Sequence, residues 1–298
     1  MQNTECRMQN WLRFSFCILH SAFCILIMHR VIKRRTGLAA VDLPELWEYR
    51  ELLGFLAWRD VAVRYKQTVI GVLWAIVRPF LTMVVFTIIF GKLAKLPSNG
   101  VPYAILTFTA MLPWQFFSTA FSDAASSIIG NGHMISKIYF PRLILPISSI
   151  MVGLADFLVA VVFLFVIMAG YHFVPPARAV FAPLFFLLCL VFTVGLGMWF
   201  GALHVKYRDV RHLIPFLVQI GFYVSPVAYS STLVPLKWRA LYSLNPMVAV
   251  IDGFRWSLLG TDTLYIPGLI ASSAVSLALL AGGVYYFKQT ERVFADLI

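Results

Sequence analysis

Three cations and two aromatic rings stand close together just before the first long apolar stretch of this sequence. Arg59, Arg64 and Lys66 fall within about two helical turns, beside Trp58 and Tyr65. Guanidinium and ammonium groups bind phosphate, and rings of this kind settle at the depth of lipid headgroups. The spacing therefore predicts cations at one surface of a bilayer, in contact with an anionic, lipid-linked ligand rather than serving only as an anchor.

The composition requires a membrane. Of 298 residues, 60% are hydrophobic and only 12% are charged, whereas a soluble domain carries about 25% charged residues. The net charge of +11 could indicate nucleic acid. However, the basic residues stand beside apolar stretches, where anionic lipid and the cytoplasmic excess of positive charge explain them. We therefore predict an integral membrane protein that contacts membrane lipids and no nucleic acid.

Six apolar stretches approach the length of about 20 residues that a membrane-spanning helix needs. They cover residues 68–91, 103–129, 143–170, 180–203, 213–229 and 266–287. The fifth is the shortest, and the semi-apolar stretch 230–260 after it predicts short helices in the outer leaflet. The predicted fold class is an all-α membrane protein. It has six transmembrane helices, an N-terminal amphipathic interface helix and short periplasmic helices before the last span.

Lysine and arginine residues predict the orientation. With the N-terminus inside, cytoplasmic segments hold 17 of the 24 and outer loops hold 6, so both termini are expected in the cytoplasm. The remaining one is Arg78, which lies within a span. Asp123 and Asp156 also lie in or near spans, where ionisable groups are costly. A proton relay is one interpretation of these groups, and pairing with one another or with helix ends is the interpretation that we prefer.

The first 27 residues look foreign to the rest of the chain. Residues 16–19 recur as residues 23–26, and the apolar run around them is too short to span a bilayer. A signal peptide is the alternative, but no small-residue cleavage site follows. We expect translation to begin at Met28. Three further parts then follow: an interfacial amphipathic segment over 28–67, the membrane domain over 68–288 and a cytoplasmic tail over 289–298.

No segment predicts catalysis. The four cysteines are Cys6, Cys17, Cys24 and Cys189, and their spacing favours neither a metal site nor a disulfide framework. The sequence contains no phosphate-binding P-loop motif, so a separate chain would have to bind any ATP and magnesium. We therefore expect no catalytic residues, no metal and no cofactor in this chain.

The longest hydrophilic loop covers residues 130–142. Glycines at its start end one helix and Pro141 limits the next, which leaves room for a short helix with an apolar face. Lys137 and Arg142 would border that face. The helix could receive another protein or lie flat on lipid, and the spacing favours neither.

Aromatic residues are abundant in and near the spans, and most are expected to pack or to form interfacial belts. A subset could line a channel and stack on sugar rings through their apolar faces. The candidates for this subset are Trp114, Phe117, Phe222 and Tyr223.

Short motifs in a fixed order resemble one family. They are Arg64-Tyr65-Lys66-Gln67-Thr68 with Gly71, Leu73, Trp74 and Pro79; Val101-Pro102-Tyr103; Pro113-Trp114 with Phe117; Lys137 to Arg142 with Pro146; Tyr207-Arg208-Asp209; Ser225-Pro226; Asn245-Pro246; and Phe254-Arg255. They cover about residues 47–260. Together they resemble the type-2 ABC transporter permeases that export polysaccharides such as O-antigen, capsule and teichoic acid.

The resemblance implies roles for the segments described above. Residues 130–142 would be a coupling helix that receives the motion of an ATPase, with contacts at His133, Lys137, Tyr139, Phe140, Pro141 and Arg142. The segment before Thr68 would be a gate at the cytoplasmic interface, where Arg59, Arg64 and Lys66 screen a diphosphate. Residues 230–260 would form periplasmic gate helices.

The resemblance also implies a transport subunit, not an enzyme, in the bacterial cytoplasmic membrane. It would pair with an identical copy and with two ATPase subunits, and it would move a glycan carried on undecaprenyl diphosphate. Capsule, teichoic acid and other lipid-linked or amphipathic substrates are alternatives. A secondary transporter is disfavoured because the sequence shows neither paired repeats nor several intramembrane ionisable groups. A membrane glycosyltransferase is disfavoured because the outer loops hold no cluster of carboxylates or histidines.

Overall fold

Helices form every regular element in the part of the chain that the structure describes. In this computed structural model, that part comprises residues 43–66, 73–95, 100–135, 137–260, 264–291 and 294. The predictions for 1–27, for the start of the interfacial segment and for most of the tail lie outside the described residues. The all-α fold class is confirmed for the residues described.

Two helices precede the first candidate span, α1 (Leu43–Glu48) and α2 (Arg50–Lys66). The last turn of α2 contains both Arg64 and Lys66, and cations at this end of a helix oppose its partial negative charge. Few residues of α2 are buried, and several of its large apolar side chains are exposed. One face of α2 therefore packs on the bundle and another is left for lipid or a partner.

The remaining helices follow in chain order. α3 (Leu73–Phe86) continues as a π-helix over Thr87–Leu93, and α4 (Tyr103–Gly130), α5 (Gly132–Ile135) and α6 (Ile144–Gly170) follow. After a 3₁₀ turn at Ala177–Phe181 come α7 (Ala182–Lys206) and α8 (Val210–Val224). A second 3₁₀ turn at Ser231–Leu233 precedes α9 (Leu236–Tyr242), α10 (Pro246–Leu258) and α11 (Ile266–Thr290).

Five helical segments among the described residues are long and apolar enough to cross a membrane. They are Ile76–Leu93, Tyr103–Gly130, Ile144–Gly170, Ala177–Lys206 and Ile266–Thr290. The predicted fifth span, 213–229, forms the 15-residue α8 instead. Ser225 adopts an extended backbone at its end, and Pro226 follows without an N–H group to continue the helix. A multi-pass helical bundle is confirmed, but a count of six spans is not.

α4 lies at the centre of the bundle. In its most apolar window, 83% of residues are buried, against 11–28% in the other four candidate spans. α6, α7 and α10 pack against it. The surrounding helices present large apolar side chains outward, as expected of surfaces in contact with lipid.

Two glycines of α7 allow neighbouring helices to approach closely. A Cβ atom at Gly197 would lie 2.8 Å from Cβ of Ala124 on α4. A Cβ atom at Gly195 would lie 2.7 Å from the backbone nitrogen of Leu280 on α11. Small residues at such contacts let helix backbones pack directly in a membrane. α7 is therefore in close contact with the central helix on one face and with the last helix on another.

Candidate functional site

A cluster of ionised side chains joins the end of α2 to two membrane helices. Nη2 of Arg64 lies 3.0 Å from Oδ2 of Asp123 on α4, and Nη1 lies 2.9 Å from Oδ2 of Asp156 on α6. The hydroxyl of Tyr65 donates to Oδ1 of Asp156. Burial, followed by this hydrogen bond, raises the pKa of Tyr65 above its ordinary value, so the hydroxyl keeps its proton and remains a donor. We call these four residues the Arg64 cluster.

The Arg64 cluster lies inside the end of the bundle rather than at its rim. Nη2 of Arg59 donates to Asn131, the residue that caps the C-terminal end of α4, over 3.0 Å. Asp123 lies eight residues before Asn131 on the same helix, which corresponds to about 12 Å along the axis. Successive contacts of α2 therefore advance along α4, and the guanidinium that both aspartates share lies about two helical turns from the end of that helix.

The three predicted diphosphate contacts are not equivalent in the structure. Arg64 belongs to the cluster, and Arg59 pairs with Asp60 over 2.7 Å as well as with Asn131. Lys66 is exposed at the last position of α2. The structure therefore separates the three cations along the helix, and their role toward a diphosphate stays a prediction. Asp123 and Asp156 both pair with Arg64 in the last turn of α2, a partner that the sequence interpretation did not name.

A cleft of about 230 Å³ opens beside the Arg64 cluster, between α2, α3, α4 and α6. Its polar lining comes from Arg64, Tyr65, Trp74, Arg78, Gln115, Thr119 and Asp156. Its apolar lining comes from Leu112, Phe116, Phe157 and Ala160. We call it the Arg78 cleft, because Arg78 enters it from the first turns of α3. A pocket lined by both polar and apolar side chains suits an amphipathic ligand.

Sequence reasoning noticed Arg78 only as an intramembrane charge and missed Gln115 and Trp74 as lining residues. Gln115 carried a usable signal, since it is a carboxamide in the middle of a long apolar stretch. Polar groups at such positions usually face the bundle interior or a substrate pathway. The juxtaposition of Gln115 with Arg78 needed the tertiary fold.

The loop 130–142 contains an exposed part and a buried part. α5 is a single turn, and the side chains of Ile138 and Tyr139 are 60% and 63% exposed, beside an exposed Lys137. Phe140 and Pro141 are buried, and His133 is exposed. Ser136 lies outside the described residues. An apolar patch next to a lysine is thus on the surface, and whether an ATPase contacts it remains a prediction.

Arg142 contacts the end of the last helix instead of extending this exposed patch. Its guanidinium donates to the main-chain oxygen of Glu291, and its main-chain N–H donates to Oε1 of Glu291 over 3.2 Å. Nζ of Lys288 lies 3.0 Å from Oε2 of the same glutamate. The Arg142 guanidinium also lies 5.8 Å from the ring centroid of Phe294. The structure thereby joins the loop to α11, a contact that sequence reasoning missed.

The four candidate channel aromatics occupy different environments. Trp114 and Phe117 are 5% and 6% exposed on α4, with ring centroids 5.4 Å apart. Phe222 packs on Trp114 at 5.7 Å, whereas Tyr223 is 68% exposed. Three of the rings therefore form one packed cluster within the chain, and the exposed ring of Tyr223 touches that cluster at Phe222, with centroids 5.7 Å apart. Contact with sugar stays a prediction for all four.

At the other end of the bundle, a buried arginine binds the segment between α8 and α9. Arg255 on α10 is 0% exposed, and it donates to the carbonyl oxygens of Val227 at 3.0 Å and Tyr229 at 2.7 Å. The hydroxyls of Tyr229 and Tyr242 lie 2.9 Å apart. Burial and this contact raise the pKa of Tyr242, which keeps it protonated. These hydrogen bonds satisfy a turn that would otherwise leave carbonyls unpaired.

Among the described residues, no group of three or more histidine, cysteine, aspartate or glutamate side chains is arranged to hold a metal ion. Cys189, the one cysteine in this part of the chain, is buried and donates a weak hydrogen bond to the carbonyl of Pro113.

Comparison with known proteins places these features in a family context. The profile of the family described as ABC-2 type transporter matches residues 51–259. This range begins within α2 and ends just after α10, so it includes the Arg64 cluster, the Arg78 cleft and the loop 130–142.

Individual relatives match over most of their length. The chain is 30% identical over 256 residues to an O-antigen export system permease protein RfbA from Myxococcus xanthus, covering 85% of this chain and 98% of the relative. It is 28% identical over 259 residues to a protein of the same name from Klebsiella pneumoniae, covering 83% and 95%. It is 22% identical over 233 residues to the capsule polysaccharide export inner-membrane protein CtrC of Neisseria meningitidis, covering 76% and 87%.

Proposed function

The chain belongs to the ABC-2 type transporter family, and from this membership we propose that it exports a lipid-linked surface polysaccharide across the bacterial inner membrane. It is a transport permease rather than an enzyme. The observation that carries the proposal is the match over 98% of the length of a relative named for O-antigen export. The relative named for capsule export supports the same substrate class.

Permeases of this family work with an ATPase subunit. We propose that two copies of this chain assemble with two ATPase subunits, which bind the ATP and magnesium. The exposed apolar patch of Ile138 and Tyr139 beside Lys137 supports the loop 130–142 as the docking surface. The contact between Arg142 and Glu291 gives that loop a direct connection to α11.

For the topology, we propose that both termini are cytoplasmic, in agreement with the distribution of lysine and arginine. In this arrangement α8, although short, completes six crossings together with residues 225–229. α9 and α10 then lie at the periplasmic side as gate helices, with Arg255 fixing the turn that leads into them. α2 serves as the gate at the cytoplasmic side.

For the substrate, we propose a glycan on undecaprenyl diphosphate. A lipid carrier accounts for an amphipathic cleft near the cytoplasmic end of the bundle, and a diphosphate accounts for the arginines that line it. O-antigen is the first candidate glycan because two of the relatives described above carry that name. Capsule, teichoic acid or another lipid-linked polymer is the second, supported by the third relative.

Deletion of the gene, followed by complementation with the full chain, tests this proposal. We expect loss of one surface polysaccharide and accumulation of its lipid-linked form in the cytoplasmic leaflet, both reversed by the complementing copy. The polymer that disappears identifies the substrate. An unchanged complement of surface glycans would refute the proposed function.

A further inference from the structure

We propose that the Arg78 cleft is the binding site for the diphosphate of the lipid-linked substrate, with Arg78 and Gln115 as its donors. This inference rests on the proposed function and deepens it. It moves the diphosphate away from Arg59 and Lys66, the residues that the sequence had suggested, and into a cavity between α2, α3, α4 and α6.

The first argument is the distribution of charge. Arg64 lines the cleft, but it is already paired with two carboxylates, Asp123 and Asp156, at 3.0 and 2.9 Å, and these more than offset its charge. Arg78 lines the same cleft, and among the described residues no carboxylate lies within ion-pair distance of it. The positive charge that remains available to a ligand is therefore that of Arg78. A guanidinium presents five N–H donors in a planar fork that fits phosphate oxygens.

The second argument is the partner that α4 offers across the cleft. Gln115 lines the cleft from the central helix, and its carboxamide makes no hydrogen bond to the described part of the chain. A partly buried amide in an apolar helix is costly unless a partner satisfies it. Its NH₂ group and the Arg78 guanidinium can donate to different oxygens of one diphosphate. Trp74, also in the lining, adds an indole N–H donor.

The third argument is the apolar part of the cleft lining. Leu112, Phe116 and Phe157 line the cleft beside the polar groups, so a bound diphosphate would have hydrocarbon surface next to it. A diphosphate attached to a polyprenyl chain uses both surfaces, whereas inorganic pyrophosphate uses only the polar one. A phospholipid shares the chemistry but offers one phosphate instead of two, so the cleft favours the polyprenyl diphosphate.

The test is a binding titration on the purified full-length chain in detergent micelles. The probe is farnesyl diphosphate, and the parallel titrations use inorganic pyrophosphate and phosphatidylglycerol. In the Arg78→Gln variant, the loss of a charge-assisted contact should weaken the binding of farnesyl diphosphate about tenfold or more. Gln115→Leu should weaken it by a smaller factor, and Arg78→Lys should recover part of the loss. Arg211→Gln, at an exposed arginine outside the cleft, should bind as the unaltered chain does.

Three results would overturn the inference. They are unchanged affinity in Arg78→Gln, pyrophosphate binding as tight as that of farnesyl diphosphate, or equal competition by phosphatidylglycerol. Melting temperatures show which variants are folded, and if Arg78→Gln is not, Gln115→Leu and Arg78→Lys decide the question. If gene deletion abolishes a surface glycan but these variants bind farnesyl diphosphate as the unaltered chain does, the cleft assignment is wrong and the proposed function stands. Unchanged surface glycans on deletion would remove the proposed function, whatever the binding result.

Discussion

Nη1 of Arg64 lies 2.9 Å from Oδ2 of Asp156, although the two residues are 92 positions apart in the chain. Because Nη2 of the same guanidinium reaches Asp123, one cation connects α2 to both α4 and α6. The side chains of these three residues are between 21% and 37% exposed, so water screens the contacts only in part. The C-terminal end of α2 is thereby fixed on the bundle by charge.

The Arg64 cluster predicts a loss of stability when its cation is removed. Arg64→Gln leaves two carboxylates without their ion pair, and we expect a cost of about 1–3 kcal/mol after allowing for partial exposure. Thermal unfolding of the purified chain in detergent measures it. Arg59→Gln is the matched control and should cost less than Arg64→Gln, since its ion pair is with the neighbouring Asp60 and its contact with α4 is the hydrogen bond to Asn131. Full stability of Arg64→Gln with reduced export would instead favour a direct contact with substrate.

The exposed part of the loop 130–142 predicts a coupling defect without a folding defect. Lys137→Glu reverses a surface charge beside Ile138 and Tyr139, so we expect export driven by ATP to fall about tenfold through poorer docking. The melting temperature of the permease should not change. Lys237→Glu, at an exposed lysine of α9, is the control. Normal transport per ATP hydrolysed in the Lys137→Glu complex would exclude the docking role.

The contact between the loop and α11 predicts a loss of stability when either side is changed. Arg142→Ala removes the hydrogen bond that its guanidinium donates to the main-chain oxygen of Glu291. Glu291→Ala removes the carboxylate that accepts from the main-chain N–H of Arg142. Each change should cost about 0.5–1.5 kcal/mol, which thermal unfolding of the purified chain measures. Melting temperatures equal to that of the unaltered chain in both variants would show that the junction contributes no energy.

Close packing of α7 predicts that Gly195 and Gly197 tolerate no side chain. Gly197→Val should cost about 1–3 kcal/mol, because even its Cβ would approach Ala124 to 2.8 Å. Gly170→Val is the control for adding the same side chain, since a Cβ at Gly170 meets nothing within 4 Å. Equal melting temperatures for the two variants would contradict the packing described for α4 and α7.

The buried arginine of α10 predicts a strong effect at the opposite end of the bundle. Arg255→Met removes the donors to Val227 and Tyr229 and should cost about 2–4 kcal/mol. Arg255→Lys should recover only part of this, because an ammonium cannot reproduce the geometry of the guanidinium. Limited proteolysis within 225–235 should accelerate in Arg255→Met. Protection equal to that of the unaltered chain would show that the turn is held by other contacts.

The sequence was sufficient for the features that depend on local composition. Apolar length places the long helices, since each must satisfy its backbone internally in lipid, and the order of short motifs identifies the family. The early end of α8 could have been predicted from Ser225-Pro226, since a proline cannot continue a helix. The length of the apolar stretch predicted a longer span instead.

Contacts between distant residues could not be predicted in the same way. Nothing in the spacing of Arg64 identifies Asp123 as its partner, 59 positions away, or Glu291 as the partner of Arg142, 149 positions away. Such pairs depend on which helices become neighbours. The Arg78 cleft is missed for the same reason, because its polar residues come from four helices and none forms a motif by itself.

The burial of α4 has a consequence for how this protein is made. α4 has the lowest mean hydropathy of the five candidate spans and the largest buried share. During synthesis the insertion machinery meets α4 before α6, α7 and α10 exist to cover it. A segment that is only moderately apolar partitions weakly into lipid by itself, so we expect α4 to remain near that machinery until later helices arrive. The helix that organises the finished bundle is therefore the one whose own biogenesis depends most on its neighbours.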